Sequence, residues 1–220
     1  MGYGLAPALS FCTADDRRIF LDTNRDLYFC LSDAADRSFS RLVDGSSLAA
    51  QDMRNLDGLV ARGVLHTSEH APSPTPCPRT VMPRRSLYEA PANSRFFPTL
   101  RALAGYLSAR WKLRYCGLAA SLRSLEARKS RIAARPDAQA MADAVAGDFR
   151  RAAMLATTRN YCLPHSLAVA NALFTRNVPA DLVLGVRTRP FGAHCWVQFH
   201  EAVVNDSIDN VRDYIPIRVI

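Results

Sequence analysis

Cys162, His194 and Asp206 have the residue types, and the order along the chain, needed to build an activated thiol. A cysteine attacks a carbonyl carbon as its thiolate. An imidazole can take and return the proton, and a carboxylate can fix the imidazole's tautomer. Position decides whether such a thiol is reactive, because helix N-termini and nearby cations lower its pKa. The stretch from Cys162 to Leu167 reads as the opening of a helix, since Pro164 suits a first turn where its missing N–H has no partner. Leu163, Leu167, Ala170 and Phe174 give that helix a buried face. Asn177 can take a left-handed cap at its far end, and Pro179 prevents continuation. Cys162 therefore sits where the helix dipole and free N–H groups favour a thiolate.

The strands that must carry the other two residues follow. Asp181 to Thr188 alternates as a strand, with Leu182, Leu184 and Val186 on one face, and Arg189-Pro190-Phe191-Gly192 breaks it. Ala193 to Phe199 is a second strand. Ala193, Cys195, Val197 and Phe199 face one way, and His194, Trp196 and Gln198 face the other. His200-Glu201 forms the turn, and Ala202 to Asp206 returns. Opposed Cβ atoms in such a hairpin lie about 4.5–5.5 Å apart, so an imidazole and a carboxylate can meet across it. Sharing a face requires His194 and Asp206 to be directly opposed, which predicts an odd-numbered loop around His200, of about three or five residues. A two-residue turn pairing Phe199 with Ala202 would set Asp206 opposite Cys195 and aim it away, unless a bulge corrected it.

A lone cysteine at a helix start is usually a small apolar residue, a lone strand histidine is structural, and an aspartate after a strand is a turn. The ordered trio is more specific, and its order is the one that papain-like and transglutaminase-like enzymes use. The string CLPHSLAVANALFTRNVPADLVLGVRTRPFGAHCWVQFHEAVVND resembles the lasso-peptide B-protein family. The resemblance covers about residues 150–210, through the CLPHSLA helix start, the LVLGV strand, the PFGAHCWV strand and VVND. It implies a transglutaminase-like cysteine peptidase that removes the leader from a ribosomal lasso precursor, with Cys162, His194 and Asp206 as its catalytic residues. Two positions depart from the family pattern: His165 stands where arginine is frequent, and Asn177 where glycine is frequent. The family also implies an asparagine-synthetase-like cyclase as partner. The Cys162 N–H is a candidate oxyanion donor because it begins a helix, and Asn160 and Tyr161 are guesses for a second.

The expected fold class is α+β. Residues 1–75 read as a small winged-helix-like module. Arg17–Asp22 and Leu27–Leu31 are strands joined by turn chemistry at Thr23-Asn24-Arg25-Asp26, and Ala8–Cys12 adds a third. A helix runs from Ser32 or Asp33 to about Val43. Another covers about Ala49–Arg62, with Met53, Leu56 and Val60 on one face and Gly63 ending it. In layout this module is similar to the PqqD-like recognition element of peptide-modifying enzymes. That likeness implies a leader peptide added as a strand beside Leu27, Phe29 and Leu31 and packed on Met53, Leu56 and Val60. Prolines at 72, 74, 76, 78, 83 and 91 predict a linker over 76–92 and a peptidase domain over 93–220. Leu100, Leu103, Leu107 and Trp111, then Met141, Val145, Phe149 and Ala152, form helical stripes expected to face the core.

Composition limits the alternatives. Cys12, Cys30, Cys77, Cys116, Cys162 and Cys195 form no CxxC pair, which argues against structural zinc, and none of these readings calls for a cofactor. No run approaches the roughly 18 apolar residues of a membrane span. Met1–Ser10 has neither the basic region nor the long apolar stretch of a secretory signal, so a cytoplasmic location is the expectation. Residues 79–135 hold 13 basic and 2 acidic side chains, the whole cationic excess of the chain. They either solvate helices or guide an acidic partner, the peptide or the cyclase. Two other functions stay open: acyl transfer to an amine by the same trio, and a winged-helix nucleic-acid binder using the basic segment. The second leaves the trio unexplained, so no nucleic-acid partner is expected.

Overall fold

A computed structural model describes residues 2–89, 96–133, 135–155 and 162–220. The chain divides into two compact units, Met1–Pro78 and Arg79–Ile220.

The first unit holds β1 (Gly2–Leu5), β2 (Leu9–Ala14), β3 (Arg17–Asp22), β4 (Leu27–Cys30), α1 (Asp33–Val43), α2 (Ala50–Ala61) and β5 (Leu65–Ser68). β2, β3 and β4 form an antiparallel meander, and β1 pairs antiparallel with β5. The β2–β3 turn is Asp15-Asp16, both with positive φ, the backbone twist that suits a two-residue hairpin. At the next turn the Asp22 carboxylate accepts from the N–H groups of Asn24 and Arg25. The core is aromatic: Phe11, Phe20 and Phe39 pack ring on ring at 5.1–5.4 Å, over Leu56 and Leu59. The expected stripe of α2 is therefore rotated. Leu56 and Leu59 are inside, whereas Met53 is 45% exposed. Leu56, expected to touch a peptide, is instead fully buried, because it and Leu59 pack into the cluster of Phe11, Phe20 and Phe39.

The second unit holds β6 (Arg85–Ser86), α3 (Phe96–Lys129), α4 (Ala138–Leu155), α5 (Cys162–Thr175), β7 (Asp181–Thr188), β8 (Phe191–Phe199), β9 (Ala202–Val203), α6 (Ile208–Val211) and β10 (Ile215–Val219). Its sheet has the order β10-β7-β8-β9-β6, antiparallel except for the β6–β9 pair. The segment expected as linker over 76–92 is thus not linker throughout. Arg85 and Ser86 are sheet residues, Leu87 is buried, and Gln198 donates to the Val81 carbonyl. Prolines exclude helix there, but they do not exclude an edge strand.

α5 is apolar nearly all round and is buried between the sheet and the α3 and α4 helices. Val145, Phe149 and Ala152 of α4 are buried as expected. The α3 stripe is not: Leu100, Leu107 and Trp111 are exposed, and Thr99, Ala102 and Tyr106 face inward. Periodicity identifies the faces of a helix, and what packs against it decides which face is buried. Gly117, at φ 78°, kinks α3, after which Leu118, Leu122 and Leu125 are buried. Cations of the basic segment tie elements together: Lys129 pairs with Asp181 and Arg128 donates to Asn171, while its acid Glu126 accepts from Arg218 of β10.

Candidate active site

Cys162 is the first residue of α5, and Pro164 and Leu167 seat that end of the helix in the core. His194 lies on β8, directly opposite Gly185 of β7. A Cβ at Gly185 would stand 2.7 Å from the Trp196 ring, so the glycine lets the indole lie beside His194, stacked at 6.2 Å.

The hairpin register is the one expected to break the site. His200-Glu201 is a two-residue turn, and Phe199 pairs with Ala202 and Gln198 with Val203. Continued regularly, this ladder would pair Asp206 with Cys195. It stops first. The Val204 N–H still donates to the Val197 carbonyl, at 2.8 Å. The return bond from the Val197 N–H goes to the Asn205 side-chain oxygen, at 2.7 Å, and not to a backbone carbonyl. The side chain replaces the ladder partner, the backbone bends, and Asp206 comes back to the histidine's face. The predicted odd-numbered loop is absent, and Asn205 does the work assigned to it.

His194 Nε2 and Asp206 Oδ2 are 2.6 Å apart. The other Asp206 oxygen accepts from the Ser207 N–H and the Asn210 amide, both at 2.8 Å, and Ser86 donates to the Asp206 carbonyl at 2.7 Å. Ser207 also caps α6. A carboxylate with this many donors is fixed in direction. With Nε2 engaged, Nδ1 is the nitrogen left for the thiol, and the Cys162 side chain is hydrogen-bonded to His194.

The electrostatics favour a charge-separated pair. Burial pushes the Cys162 thiol up, but its bond to His194, the histidine's charge and the N–H groups of Cys195 and Leu163 outweigh burial and leave it below the usual thiol range. Burial pushes His194 down, but Asp206 and the thiol lift it to about 9. Burial likewise raises Asp206, and its bonds to His194, Asn210 and Ser207 lower it further than burial lifts it. Cys195 is fully buried, and burial drives its thiol well above the ordinary range.

Three partners carried no sequence signal that was used. Asn205 spans the site: its amide donates to Ser166 Oγ at 2.9 Å, and Ser166 donates to the Cys195 carbonyl at 2.7 Å. This chain ties α5 to β8 and so sets the Cys162-to-His194 separation. Tyr214 packs its ring 5.2 Å from that of His194. The asparagine of VVND, next to the singled-out aspartate, was the available clue. Asn160 and Tyr161 lie outside the described residues. The other expected peptide contacts are in the first unit: Leu27 is exposed, and Phe29, Leu31 and Val60 are partly buried against its core. Among the described residues no group of three His, Cys, Asp or Glu side chains could hold a metal, and no helix is long and apolar enough to cross a membrane.

Comparison with known proteins agrees with this fold. Residues 103–219 match the family model of the transglutaminase-like superfamily. The chain is also similar to the microcin J25-processing protein McjB of Escherichia coli, 45% identical over 56 residues, 26% of each chain. The match thus spans about a quarter of that relative's length. No solved structure matches. With more than half of its length under the family model, and a helix-borne thiol facing a sheet-borne imidazole, this chain belongs to the transglutaminase-like superfamily.

Proposed function

We propose that this protein is a cysteine peptidase that removes the leader from a ribosomally made lasso-peptide precursor before macrolactam closure. The observation that carries the reading is the contact chain from Cys162 through His194 to Asp206, at a helix N-terminus. Similarity over part of the chain to a protein named for microcin J25 processing supports the substrate class. Cys162 attacks the scissile carbonyl as its thiolate. The Cys162 N–H, which opens α5, receives the developing oxyanion. His194 gives its Nδ1 proton to the leaving amine, breaking the C–N bond. It then takes a proton from water, which hydrolyses the thioester and frees the thiol. Asp206 holds the ring throughout.

The first unit is assigned leader capture as a PqqD-like module. The outer edge of β4 pairs with no strand among the described residues, and Leu27 on it is exposed. An extended peptide can add there through backbone hydrogen bonds, with Phe29, Leu31, Met53 and Val60 offering side-chain contacts. The asparagine-synthetase-like cyclase is the partner that consumes the product, and the cytoplasm is the compartment.

The test is mass spectrometry of the purified chain mixed with a precursor peptide. Two fragments whose masses total the precursor plus one water, absent with Cys162→Ala, support the reading. An amide-linked product with no water gained contradicts it in favour of acyl transfer.

A further inference from the structure

The face of the β7–β8 hairpin that carries His194 is lined by apolar side chains toward the core and, toward the tip, by polar ones that lie over two glycines. Toward the core, Val183 lies opposite Trp196, and both are buried. Toward the hairpin tip, Gly185 opposite His194 and Gly192 two residues before it contribute no side chains. Two groups converge on that space. A Cβ at Gly192 would lie 3.1 Å from Arg187 Nε and 3.4 Å from the Tyr214 hydroxyl. The Arg187 guanidinium carbon stands 5.3 Å from the centre of the Tyr214 ring, and that ring is 5.2 Å from His194. Arg187 is half-buried, its Nε is buried without a hydrogen-bond partner, and no carboxylate among the described residues pairs with it. Stacking on a ring holds a guanidinium in place but leaves its in-plane donors unused.

The chemistry of the site gives this shelf a side of the substrate. The nitrogen released when the C–N bond breaks must take the His194 proton, so it sits at His194. The chain beyond it cannot turn inward, where Trp196 fills the space, and runs outward past Tyr214 and Arg187, which lie over Gly192. We infer that Arg187 and Tyr214 form the subsite for the half of the substrate that leaves as the amine, and that it takes a carboxylate side chain. At about 3.3 Å of rise per extended residue, that carboxylate falls within about three residues after the scissile bond. A guanidinium paired with no carboxylate among the described residues matches a carboxylate in plane, and Gly192, having no side chain, lets Arg187 and Tyr214 lie close over the strand. This subsite rests on the peptidase reading and adds to it a preference set on the product side.

The experiment uses one leader half joined to three kinds of leaving group: a peptide with a single Glu walked over its first three positions, the same peptides with Gln, and an aminocoumarin with no peptide at all. The parent is expected to prefer Glu at one of the three positions. Arg187→Ala should lower kcat/KM for that peptide about tenfold, chiefly through KM, and leave the Gln peptide and the aminocoumarin amide unchanged. Arg187→Glu should turn the preference for Glu over Gln at that position into a preference for Gln. Equal loss on all three leaving groups would mark Arg187 as structural support, and no loss on the Glu peptide would remove it from recognition; either overturns the subsite. Binding of the released peptides to Cys162→Ala, read by anisotropy, separates this from the chemistry. Tighter binding of the Glu peptide than of the Gln peptide upholds the subsite even where cleavage fails, and equal binding overturns it even where cleavage succeeds.

Discussion

The sheet side and the helix side of the site each hold a histidine, half-buried on the sheet and buried on the helix, and they treat the imidazole in opposite ways. His194 on β8 faces the Asp206 carboxylate at 2.6 Å, and its pKa rises to about 9 despite burial. His165, one turn after Cys162 on α5, is buried against Phe149, with only the Asn205 amide near Nδ1 and no partner on Nε2. Burial pulls it down to about 4, against a small opposing effect of Asp206. The difference lies in contact distance. A carboxylate in direct hydrogen-bond contact outweighs desolvation, and the same carboxylate felt without contact does not. One site can therefore hold a protonated ring and a neutral ring at the same pH.

The largest expected effect separates the two rings by function. His194→Ala should lower turnover by about 10²–10⁴-fold, the range for loss of a positioned acid-base group. His165→Leu should leave turnover within about tenfold of the parent. Cleavage rates that rank the two variants the other way would break the comparison.

Asp206→Asn sharpens it. Removing the charge that lifts His194 should cost about 10²–10⁴ in kcat, as for other triads that lose their carboxylate. It should also move the alkaline limb of the pH profile. In the parent, activity needs the thiolate with the protonated ring, so it falls as pH rises through about 9. In the variant that limb should shift down toward the ordinary histidine range, and a limb that stays at about 9 would detach Asp206 from His194.

Stability should carry the same contrast with opposite signs. The His194 contribution is complete below its unfolded value of 6.5 and is lost as pH rises through about 9. His165 is depressed, so the unfolded chain binds its proton first, and stability falls as pH drops from 6.5 toward about 4. His165→Leu should remove that acid loss, up to about 3 kcal/mol across the window, read from denaturant midpoints at several pH values. An unchanged acid slope would mean that the ring is not held neutral.

The smallest effect tests the tie between the two sides. Asn205→Ala strips a partner from the Val197 N–H and from Ser166, which should cost about 1–3 kcal/mol in chemical denaturation. Activity should fall with it, because the bend that returns Asp206 to His194 loses its anchor. Full activity in a destabilised variant would show that the bend forms without Asn205.

Much of the candidate site was legible because each residue sits at a punctuated place: Cys162 two residues before a proline that opens a helix, His194 on an alternating strand, and Asp206 after the return. The register was not legible. Alternation counts residues along a regular ladder, and a side chain that takes a backbone partner's place, as Asn205 does, leaves no periodic trace. The α3 stripe misled for a related reason. Leu100, Leu107 and Trp111 mark one face clearly, but which face is buried depends on what packs there, and α3 turns Thr99, Ala102 and Tyr106 inward. In α2 the same ambiguity placed Leu56 in the core and Met53 outside it.

The central claim, that His194 holds Cys162 as a thiolate, is tested most directly by site-resolved alkylation. The folded chain is treated with iodoacetamide over a pH series and each cysteine is followed by peptide mass spectrometry. Cys30 and Cys116 are exposed and serve as internal comparisons, and Cys12 and Cys195 are buried. Cys162 is expected to react at lower pH than Cys30 and Cys116, and to lose that advantage in His194→Ala, while Cys195 stays unmodified. A Cys162 that reacts no earlier than the exposed pair, or as early without His194 as with it, would contradict the account.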